Sequence, residues 1–252
     1  MKHQRTLSLT CLLLCLAITV SFAQQAFLIH QDNVKPSKVM QYEKIAKEFH
    51  EACLEHKPET NWMAAMTYDF KYFYITPIEN MAEMDERPMA KMAEAMGDKF
   101  GDMFEEFDKC YDSHGSYIVV SDKELSYMPE DGKIPEGHNY RKWFYIYYTP
   151  ENAKAIRDGM KAVKALYETK NSTAYYRIYR NGFGQVGNYY LVSVAAKDEV
   201  DYAQTSKDNE KALGTFEERW EAFSQVMDYA TEMEEYSGEM RPDLSYSHKK
   251  DE

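Results

Sequence analysis

The sequence predicts an α+β protein made of two similar halves, each with the element order β-α-β-β-α-β. The tripeptide Leu-Ser-Tyr occurs at residues 125–127 and again 119 residues later, at 244–246. Tyr74 and Tyr190 lie 116 residues apart, as do Phe104 and Trp220. Both halves also show the same succession of alternating strands and amphipathic helices. Self-similarity at a nearly constant spacing is typical of a duplicated unit.

Each half begins with a strand in which apolar and aromatic residues alternate, and we align residues 26–31 with 143–148. A helix follows from Pro36 or Pro150, because the first helical turn accepts proline. The Gly- and Asn-rich residues 180–188 indicate a hairpin turn. The predicted strands span 26–31, 61–69, 71–79 and about 115–121 in the first half, and 142–149, 173–181, 187–195 and about 234–241 in the second.

Each half is predicted to contain two amphipathic helices, because apolar residues recur every three or four positions. In the first helix of each half the inward positions are Val39, Tyr42, Ala46, Phe49 and Cys53, and then Ala153, Ile156, Met160, Val163 and Tyr167. In the second helix they are Phe100, Met103, Phe104, Phe107, Cys110 and Tyr111, and then Leu213, Phe216, Trp220, Phe223, Met227 and Ala230.

This element order is that of the ferredoxin-like motif, a four-stranded antiparallel sheet with both helices on one face. The other sheet face is left bare, and two copies in one chain are expected to pack these faces together as one intramolecular α+β barrel. Residues 128–139 contain two prolines and two glycines and are typical of a linker. We therefore divide the chain into residues 24–127 and 140–246 as the two repeats, 128–139 as the linker and 247–252 as a charged tail.

In its element order, its repeat spacing and the Val34-Lys35-Pro36 entry to the first helix, the chain resembles the dimeric α+β barrel superfamily in a tandem, single-chain form. That superfamily includes cofactor-independent antibiotic-biosynthesis monooxygenases, stress-responsive barrel proteins, NIPSNAP-like proteins and, among doubled forms, chlorite dismutases. The resemblance covers nearly all of residues 26–246 and carries no catalytic motif. It implies a barrel fold and leaves the activity open.

The first residues are typical of a secretory signal peptide. Lys2 and Arg5 form a basic start, an apolar run extends from Leu7 to Val20, and small residues lead to Ala23. We expect cleavage near Ala23 and export of a soluble chain, periplasmic or extracellular, with no membrane span in its mature part. Residues 1–23 are therefore left out of the predicted fold.

The chain has a formal net charge of −12. This acidity disfavours nucleic acid as a partner, because phosphate binding requires clustered lysine and arginine. A small-molecule ligand and a monomer or homodimer are the expectations that remain.

Strand alternation predicts which side chains line the barrel. With Phe27, Ile29, Phe144 and Ile146 taken to face the helices, their neighbours along the strands face inward. The predicted lining is rich in aromatic rings, and phenols suit a half-wet pocket. It comprises His30, Trp62, Tyr74, Trp143, Tyr145, Tyr147, Tyr175, Arg177, Tyr179 and Tyr190.

Three functions fit this lining. The first is binding of a small aromatic or amphipathic molecule in the barrel, with Arg177 or His30 at its polar group. The second is cofactor-independent monooxygenase or isomerase chemistry, for which Asn61, Trp62 and His30 are the groups comparable to those the resemblance implies. The third is a non-catalytic envelope or surface protein whose tyrosines fill the interior. Whether the chain is an enzyme, and which residues would be catalytic, stays open.

The sequence indicates neither a metal site nor a cofactor. His50, Cys53 and His56 share a helix but cannot converge on one ion at 100° per residue. Some doubled relatives bind haem through a histidine of the second repeat, whereas here that histidine could only be His138 or His248, in the linker and the tail. The methionines between residues 81 and 103 are interpreted as packing residues.

Cys53 and Cys110 remain once the signal peptide is removed. Both are expected on apolar helix faces, near the C-terminal ends of the two helices of the first half. They are predicted to be neighbours. A disulfide and two buried free thiols are both compatible with this position.

Overall fold

The computed structural model describes residues 24–248. The predicted signal peptide, residues 1–23, lies outside the described residues, as do residues 249–252. No helix within the described part is both long and apolar enough to cross a membrane.

Among residues 24–248 the chain forms nine strands, in regions close to the predicted ones. Alternating β-branched and aromatic residues account for most of them. The strands are β1 (Ala26–Val34), β2 (Asn61–Thr67), β3 (Lys71–Ile78), β4 (Tyr111–Ser121), β5 (Tyr140–Tyr148), β6 (Tyr176–Asn181), β7 (Asn188–Ala196), β8 (Glu232–Met240) and the short β9 (Tyr246–Ser247).

Six α-helices pack on the outside of the sheet within the same range. Short 3₁₀ turns at Pro36–Lys38 and Pro150–Asn152 precede the first helix of each half, as the two prolines predict. The helices are α1 (Val39–His56), α2 (Ala90–Met96), α3 (Asp98–Asp108), α4 (Ala153–Thr169), α5 (Glu199–Ala212) and α6 (Phe216–Tyr229).

Strands β1 to β8 form one closed antiparallel barrel. Around the barrel the order is β3-β1-β4-β6-β7-β5-β8-β2, and β2 pairs with β3 to complete the circle. The first half of the chain thus contributes β2-β3-β1-β4 and the second half β6-β7-β5-β8. Two strand pairings join these groups, which we call the first joint (β4 with β6) and the second joint (β8 with β2). The α+β barrel expected from the sequence is therefore confirmed.

The two joints have the same register. At the first joint Val119 is opposite Asn181 and Ser121 is opposite Tyr179. At the second joint Gly238 is opposite Thr67 and Met240 is opposite Ala65. The two sets differ by 119 residues in β4 and β8, and by 114 residues in β6 and β2. The strands approach so closely at Gly238 that a Cβ atom there would lie 2.0 Å from the Met66 carbonyl oxygen.

The Leu-Ser-Tyr tripeptides extend the two joints. The Ser126 hydroxyl donates to the Asp122 carbonyl at 2.7 Å and accepts from the Ile178 amide at 2.8 Å. The Ser245 hydroxyl donates to the Arg241 carbonyl and accepts from the Ala64 amide, both at 2.8 Å. The repeated tripeptide therefore makes the same hydrogen bonds at both places where the halves meet.

Each tripeptide also places its leucine in the hydrophobic core of the opposite half. Leu125 packs in the core beneath α4 and α6, whereas Leu244 packs in the core beneath α1 and α3. Both leucines are almost completely buried. Because burying a leucine side chain contributes roughly 1.5–3 kcal/mol, each half stabilises the other.

Ion pairs of opposite polarity lie beside the two joints. Asp122 accepts from Arg157 on α4 at 2.6 Å, and Arg241 donates to Glu43 on α1 at 2.7 Å. Asp122 and Arg241 are 119 residues apart, and Glu43 and Arg157 are 114 residues apart, as at the joints. The acid and the base have therefore exchanged sides between the halves, so that each joint brings unlike charges together.

The helix predictions need three corrections. Cys110 and Tyr111 are not on the second helix of the first half, because that helix ends at Asp108 and Tyr111 begins β4. The second helix of each half is interrupted by a glycine with positive φ, at Gly97 (φ 58°) and Gly214 (φ 106°), and continues in a new direction. In α6 the buried residue is Val226, whereas Phe216 and Trp220 are 63% and 48% exposed. The prediction that Phe216 and Trp220 face inward is therefore wrong. Their rings stack on each other on the exposed side of the helix.

The alignment of 26–31 with 143–148 is wrong. In the first half His30 pairs with Tyr74, which pairs in turn with Ala64. In the second half Phe144 pairs with Val192, which pairs in turn with Ile178. Ala64 and Ile178 occupy equivalent places at the two joints. His30 is therefore equivalent to Phe144, an offset of 114 residues where the sequence alignment used 117. Because side chains alternate between faces along a strand, this odd error of three residues reverses every side chain of β1.

We predict that Ser126→Ala and Ser245→Ala each lower the free energy of unfolding by about 1–3 kcal/mol, because each leaves the amide of Ile178 or Ala64 without its partner. Urea denaturation of the two variants measures this. Ser247→Ala is the control, since its exposed hydroxyl donates to the Asn61 side chain and to no other group among residues 24–248, and it should stay within about 0.5 kcal/mol of the parent. A loss at one joint only would contradict the equivalent roles of the two serines.

Candidate functional site

Closure of the barrel leaves a cavity of about 380 Å³ in its interior. Every one of the eight barrel strands except β6 contributes to its wall, and the β6–β7 hairpin covers part of it. The wall comprises Ile29, Gln31, Ala65, Thr67, Lys71, Phe73, Ile75, Tyr117, Val119, Trp143, Tyr145, Tyr147, Gln185, Val186, Tyr189, Leu191, Glu234 and Tyr236.

Tyrosine rings form most of the aromatic part of this wall. The Tyr145 ring lies 5.3 Å from that of Tyr189 and 5.8 Å, edge to face, from that of Tyr236. Burial raises the pKa of the Tyr145 and Tyr189 hydroxyls, and that of Tyr117, well above the usual phenol range. These phenols are therefore neutral at neutral pH, where each can donate a hydrogen bond.

Glu234 makes one side of the cavity polar. Its carboxylate accepts hydrogen bonds from the Tyr147 hydroxyl at 3.0 Å and the Tyr236 hydroxyl at 3.2 Å. The Lys71 ammonium lies 4.0 Å from the centre of the Tyr236 ring and forms an ion pair with Asp69. Burial, and then the neighbouring Glu234, raise the pKa of Tyr147. The cavity thus combines an aromatic wall with one fixed carboxylate.

The Tyr189 hydroxyl is the polar group of this wall that needs a partner. The residue is 2% exposed, and its hydroxyl finds no hydrogen-bond partner within the described range 24–248. A buried hydroxyl without a partner costs about 1–3 kcal/mol. A bound molecule with an acceptor group would remove that cost.

Three residues of the predicted lining are on the cavity wall, namely Trp143, Tyr145 and Tyr147. Tyr179 is on the same face of the sheet, where its ring packs edge to face against Phe27 at 6.0 Å. Arg177 alternates with the outward-facing Tyr176 and Ile178 and donates to the Gly132 carbonyl at 2.6 Å. The linker thus binds the guanidinium that we expected to engage a ligand.

The inward orientation predicted for the other five residues is wrong. His30, Trp62 and Tyr74 lie on the outer face, beneath the helices of the first half. The Tyr190 ring stacks on Tyr148 at 5.3 Å in the core beneath α4, and Tyr175 lines an outer cavity of the second half. In a barrel both faces of a strand are covered by protein, so apolar residues occupy both faces and the alternation loses its contrast.

The sequence reasoning missed several residues of the cavity wall. Tyr117 and Tyr236, both on the wall, are 119 residues apart, which is the spacing of the two Leu-Ser-Tyr tripeptides, and this spacing is the sequence signal that relates them. Tyr189 adjoins Tyr190, which was predicted to face inward, and residue type does not distinguish the two because both are tyrosines. Glu234 was not singled out because one acidic residue among several in β8 carries no pattern.

Two other cavities lie between the sheet and the helices. The one in the second half, about 320 Å³, is lined mostly by apolar side chains. The one in the first half, about 490 Å³, contains Asp32, His30 and His114.

Cys53 and Cys110 are both buried in the core of the first half, and both are free thiols in the described structure. The Cys53 sulfur contacts the Met92 sulfur at 3.9 Å, and the Cys110 thiol points to the Glu106 carbonyl at 3.4 Å. Burial raises the pKa of Cys53 to about 12. Of the two alternatives left by the sequence, the structure has the free thiols.

No family model matches the chain, and no curated protein matches it. Solved structures do resemble it. An anthrone oxidase-like protein superposes with a TM-score of 0.57 at 11% identity, over 89% of this chain and 94% of the other. A provisionally named monooxygenase from Fusobacterium nucleatum gives 0.53 at 14% identity, over 87% and 93%. A mutant chlorite dismutase from Candidatus Nitrospira defluvii gives 0.53 at 10% identity, over 89% and 94%.

Identities this low carry information on the fold alone. All three proteins share the α+β barrel, and the overlap extends over nearly the whole described chain. The chain therefore has the fold of the dimeric α+β barrel superfamily, as its resemblance to that superfamily implied.

Proposed function

We propose that the barrel cavity binds a small aromatic or amphipathic molecule. The observation that carries the proposal is the buried Tyr189 hydroxyl, which lacks a partner among the described residues and belongs to a residue that lines a cavity of about 380 Å³. Sites for small molecules are concave and mostly apolar, with a few polar groups that orient the ligand. Tyr189 and Glu234 would be those groups here.

The wall chemistry defines the ligand class. Offset and edge-to-face contacts with Tyr145, Trp143 and Phe73 favour a flat ring system. The neutral Tyr189 phenol favours a carbonyl, ether or hydroxyl oxygen on that ring system. The Glu234 carboxylate disfavours an anionic group on the ligand, and Lys71 offers no compensation because Asp69 binds it. A neutral, oxygen-bearing aromatic molecule therefore fits best.

Oxygenase chemistry is the second candidate, and the names of two similar structures favour it. An anthrone oxidase would convert a methylene group to a carbonyl with O₂, one oxygen atom entering the product and the other leaving as water. Such chemistry begins with removal of a proton from the substrate. Phenols with raised pKa are poor bases, so Glu234 would have to accept it. The geometry supports binding more directly, and a non-catalytic envelope or surface role is the third candidate.

We also propose that the two halves are copies of one ferredoxin-like unit, with residues 24–127 and 140–246 as the units and 128–139 as the linker. The equal registers of the joints and the matched serine hydrogen bonds support this proposal. Residues 128–139 contain neither helix nor strand, as a linker would.

Export remains a proposal that rests on the composition of residues 1–23. The intact mass of the protein purified from a secreting host checks it, since cleavage near Ala23 removes a segment of known mass.

We predict that Tyr189→Phe weakens the binding of 2-naphthol, used as a small aromatic probe, by roughly 3- to 10-fold, the equivalent of one neutral hydrogen bond. Isothermal titration calorimetry measures this. Tyr190→Phe is the matched control, because the adjacent hydroxyl lies on the outer face, 3.5 Å from the Arg157 guanidinium. Equal affinities of parent and Tyr189→Phe would contradict the proposed site.

Two further measurements separate the candidate functions. Native mass spectrometry of the purified protein should show a retained small molecule that Tyr189→Phe loses. Oxygen uptake with anthrone, abolished by Glu234→Gln and retained by Glu235→Gln, would favour the oxygenase. If the protein retains no small molecule, does not bind 2-naphthol and takes up no oxygen with anthrone, the non-catalytic envelope or surface role would be favoured.

We predict that stability falls steeply above about pH 10, the pKa of an unfolded phenol. The folded state holds the protons of Tyr145 and Tyr189 to higher pH, so their contribution is complete below the unfolded pKa and is lost as the pH rises through the folded pKa. Each such phenol adds about 1.4 kcal/mol per pH unit to the slope in this range. Urea denaturation between pH 7 and pH 11 should show a shallower alkaline slope for Tyr189→Phe; an unchanged slope would contradict the assignment.

A further inference from the structure

The cavity of the first half, between the outer face of the sheet and helices α1 and α3, contains two imidazoles and a carboxylate. His30 and Asp32 are two residues apart on β1 and so share a face, and His114 on β4 is directly opposite Asp32. One ligand atom from each of these three side chains lies within 4.8 Å of the others. None of them belongs to the wall of the barrel cavity.

Asp32 supplies an independent sign of a bound group. The residue is 4% exposed, and its Oδ2 accepts a hydrogen bond of 2.6 Å from Tyr42. Its Oδ1 is buried and makes no hydrogen bond within the described structure, although His30 Nε2 lies 3.2 Å away and His114 Nδ1 lies 3.9 Å away. A buried carboxylate oxygen is costly without a partner, and a cation is the partner it favours most.

Neighbouring groups orient the three side chains. Ser116 Oγ lies 3.0 Å from His30 Nδ1, which leaves Nε2 directed toward Asp32 Oδ1. The Tyr42 proton goes to Asp32, so Tyr74 donates to the Tyr42 oxygen at 3.0 Å. The His114 ring stacks on Tyr111 at 4.9 Å. Metal ligands in proteins are commonly oriented in this way by neighbouring groups that contact the ligand side chains without binding the metal.

The second half shows that the fold does not require these residues. By the register of β1 and β4 against β5 and β8, the places of His30, Asp32 and His114 are taken by Phe144, Ile146 and Met233. Those three residues line the largely apolar outer cavity of the second half. Three polar side chains in one half thus replace three apolar ones at equivalent positions of the other.

We propose that His30, Asp32 and His114 bind a divalent first-row transition metal ion, such as Zn²⁺ or Fe²⁺. Two imidazoles and one carboxylate suit these ions, whereas Ca²⁺ and Mg²⁺ take oxygen ligands. Ligand bonds of about 2.0–2.2 Å put ligand atoms roughly 3–3.5 Å apart. The His30–Asp32 distance already meets this value, and a small rotation of His114, whose side chain is 51% exposed, brings in the third ligand.

The remaining coordination positions face the cavity, where the imidazole of His30 is also 41% exposed. A site with three protein ligands and open positions is typical of metal ions that bind an exchangeable molecule. The ion would lie outside the barrel, on the opposite face of β1 from Gln31, so its binding does not depend on the function proposed for the barrel cavity.

Titration of chelator-treated full-length mature protein with Zn²⁺, followed by calorimetry, tests the proposal, and Co²⁺ absorption reports the ligand set. We expect one ion per chain, with affinity reduced at least tenfold, roughly, in Asp32→Asn and in His114→Ala. His56→Ala is the control, since it removes a histidine of the same half outside the site. His114 is half exposed, so its variant should fold even if Asp32→Asn does not.

Three results would overturn the proposal. The first is no binding by the parent protein. The second is equal affinity in the parent, Asp32→Asn and His114→Ala, which would place the ion elsewhere. The third is a Co²⁺ spectrum without nitrogen ligands. A spectrum with nitrogen ligands that His114→Ala alters and His56→Ala leaves unchanged would support it.

Discussion

The hydroxyls of Ser126 and Ser245 hold together the two places where the halves of the barrel meet. At each joint the strand ladder has three residue pairs. The serine, and the buried leucine directly before it, Leu125 or Leu244, extend that short contact into the opposite half. Without the joints, β2, β4, β6 and β8 would be open edges with unpaired amides and carbonyls.

Closure also creates two separate chemical environments. The interior receives phenols and the Glu234 carboxylate, mainly from β5, β7 and β8 of the second half. The outer face of the first half receives His30, Asp32 and His114. Alternation along β1 separates the two, since Gln31 faces inward between His30 and Asp32. The aromatic cavity and the proposed metal site are thus opposite faces of one sheet.

The element order, the inward face of the first helix of each half and the aromatic lining from β5 could be predicted from the sequence, because each depends on local periodicity. Trp143, Tyr145 and Tyr147 lie where the alternation placed them. The orientation of β1 could not be predicted, because Phe27 and Leu28 are equally apolar and the repeat aligned the strand with an odd error. The pairing of Asp32 with His114 depends on the β1–β4 register, which no periodicity within either strand reveals.

Native-state hydrogen exchange at the joints tests the central claim, that the barrel is closed through them, most directly. The amides of Asp122 and Ile178 at the first joint, and of Arg241 and Ala64 at the second, donate within the joints. The account predicts that all four exchange only through global unfolding, as slowly as amides in the middle of β5. Rapid exchange of these four amides, with β5 still protected, would show an open sheet and contradict it.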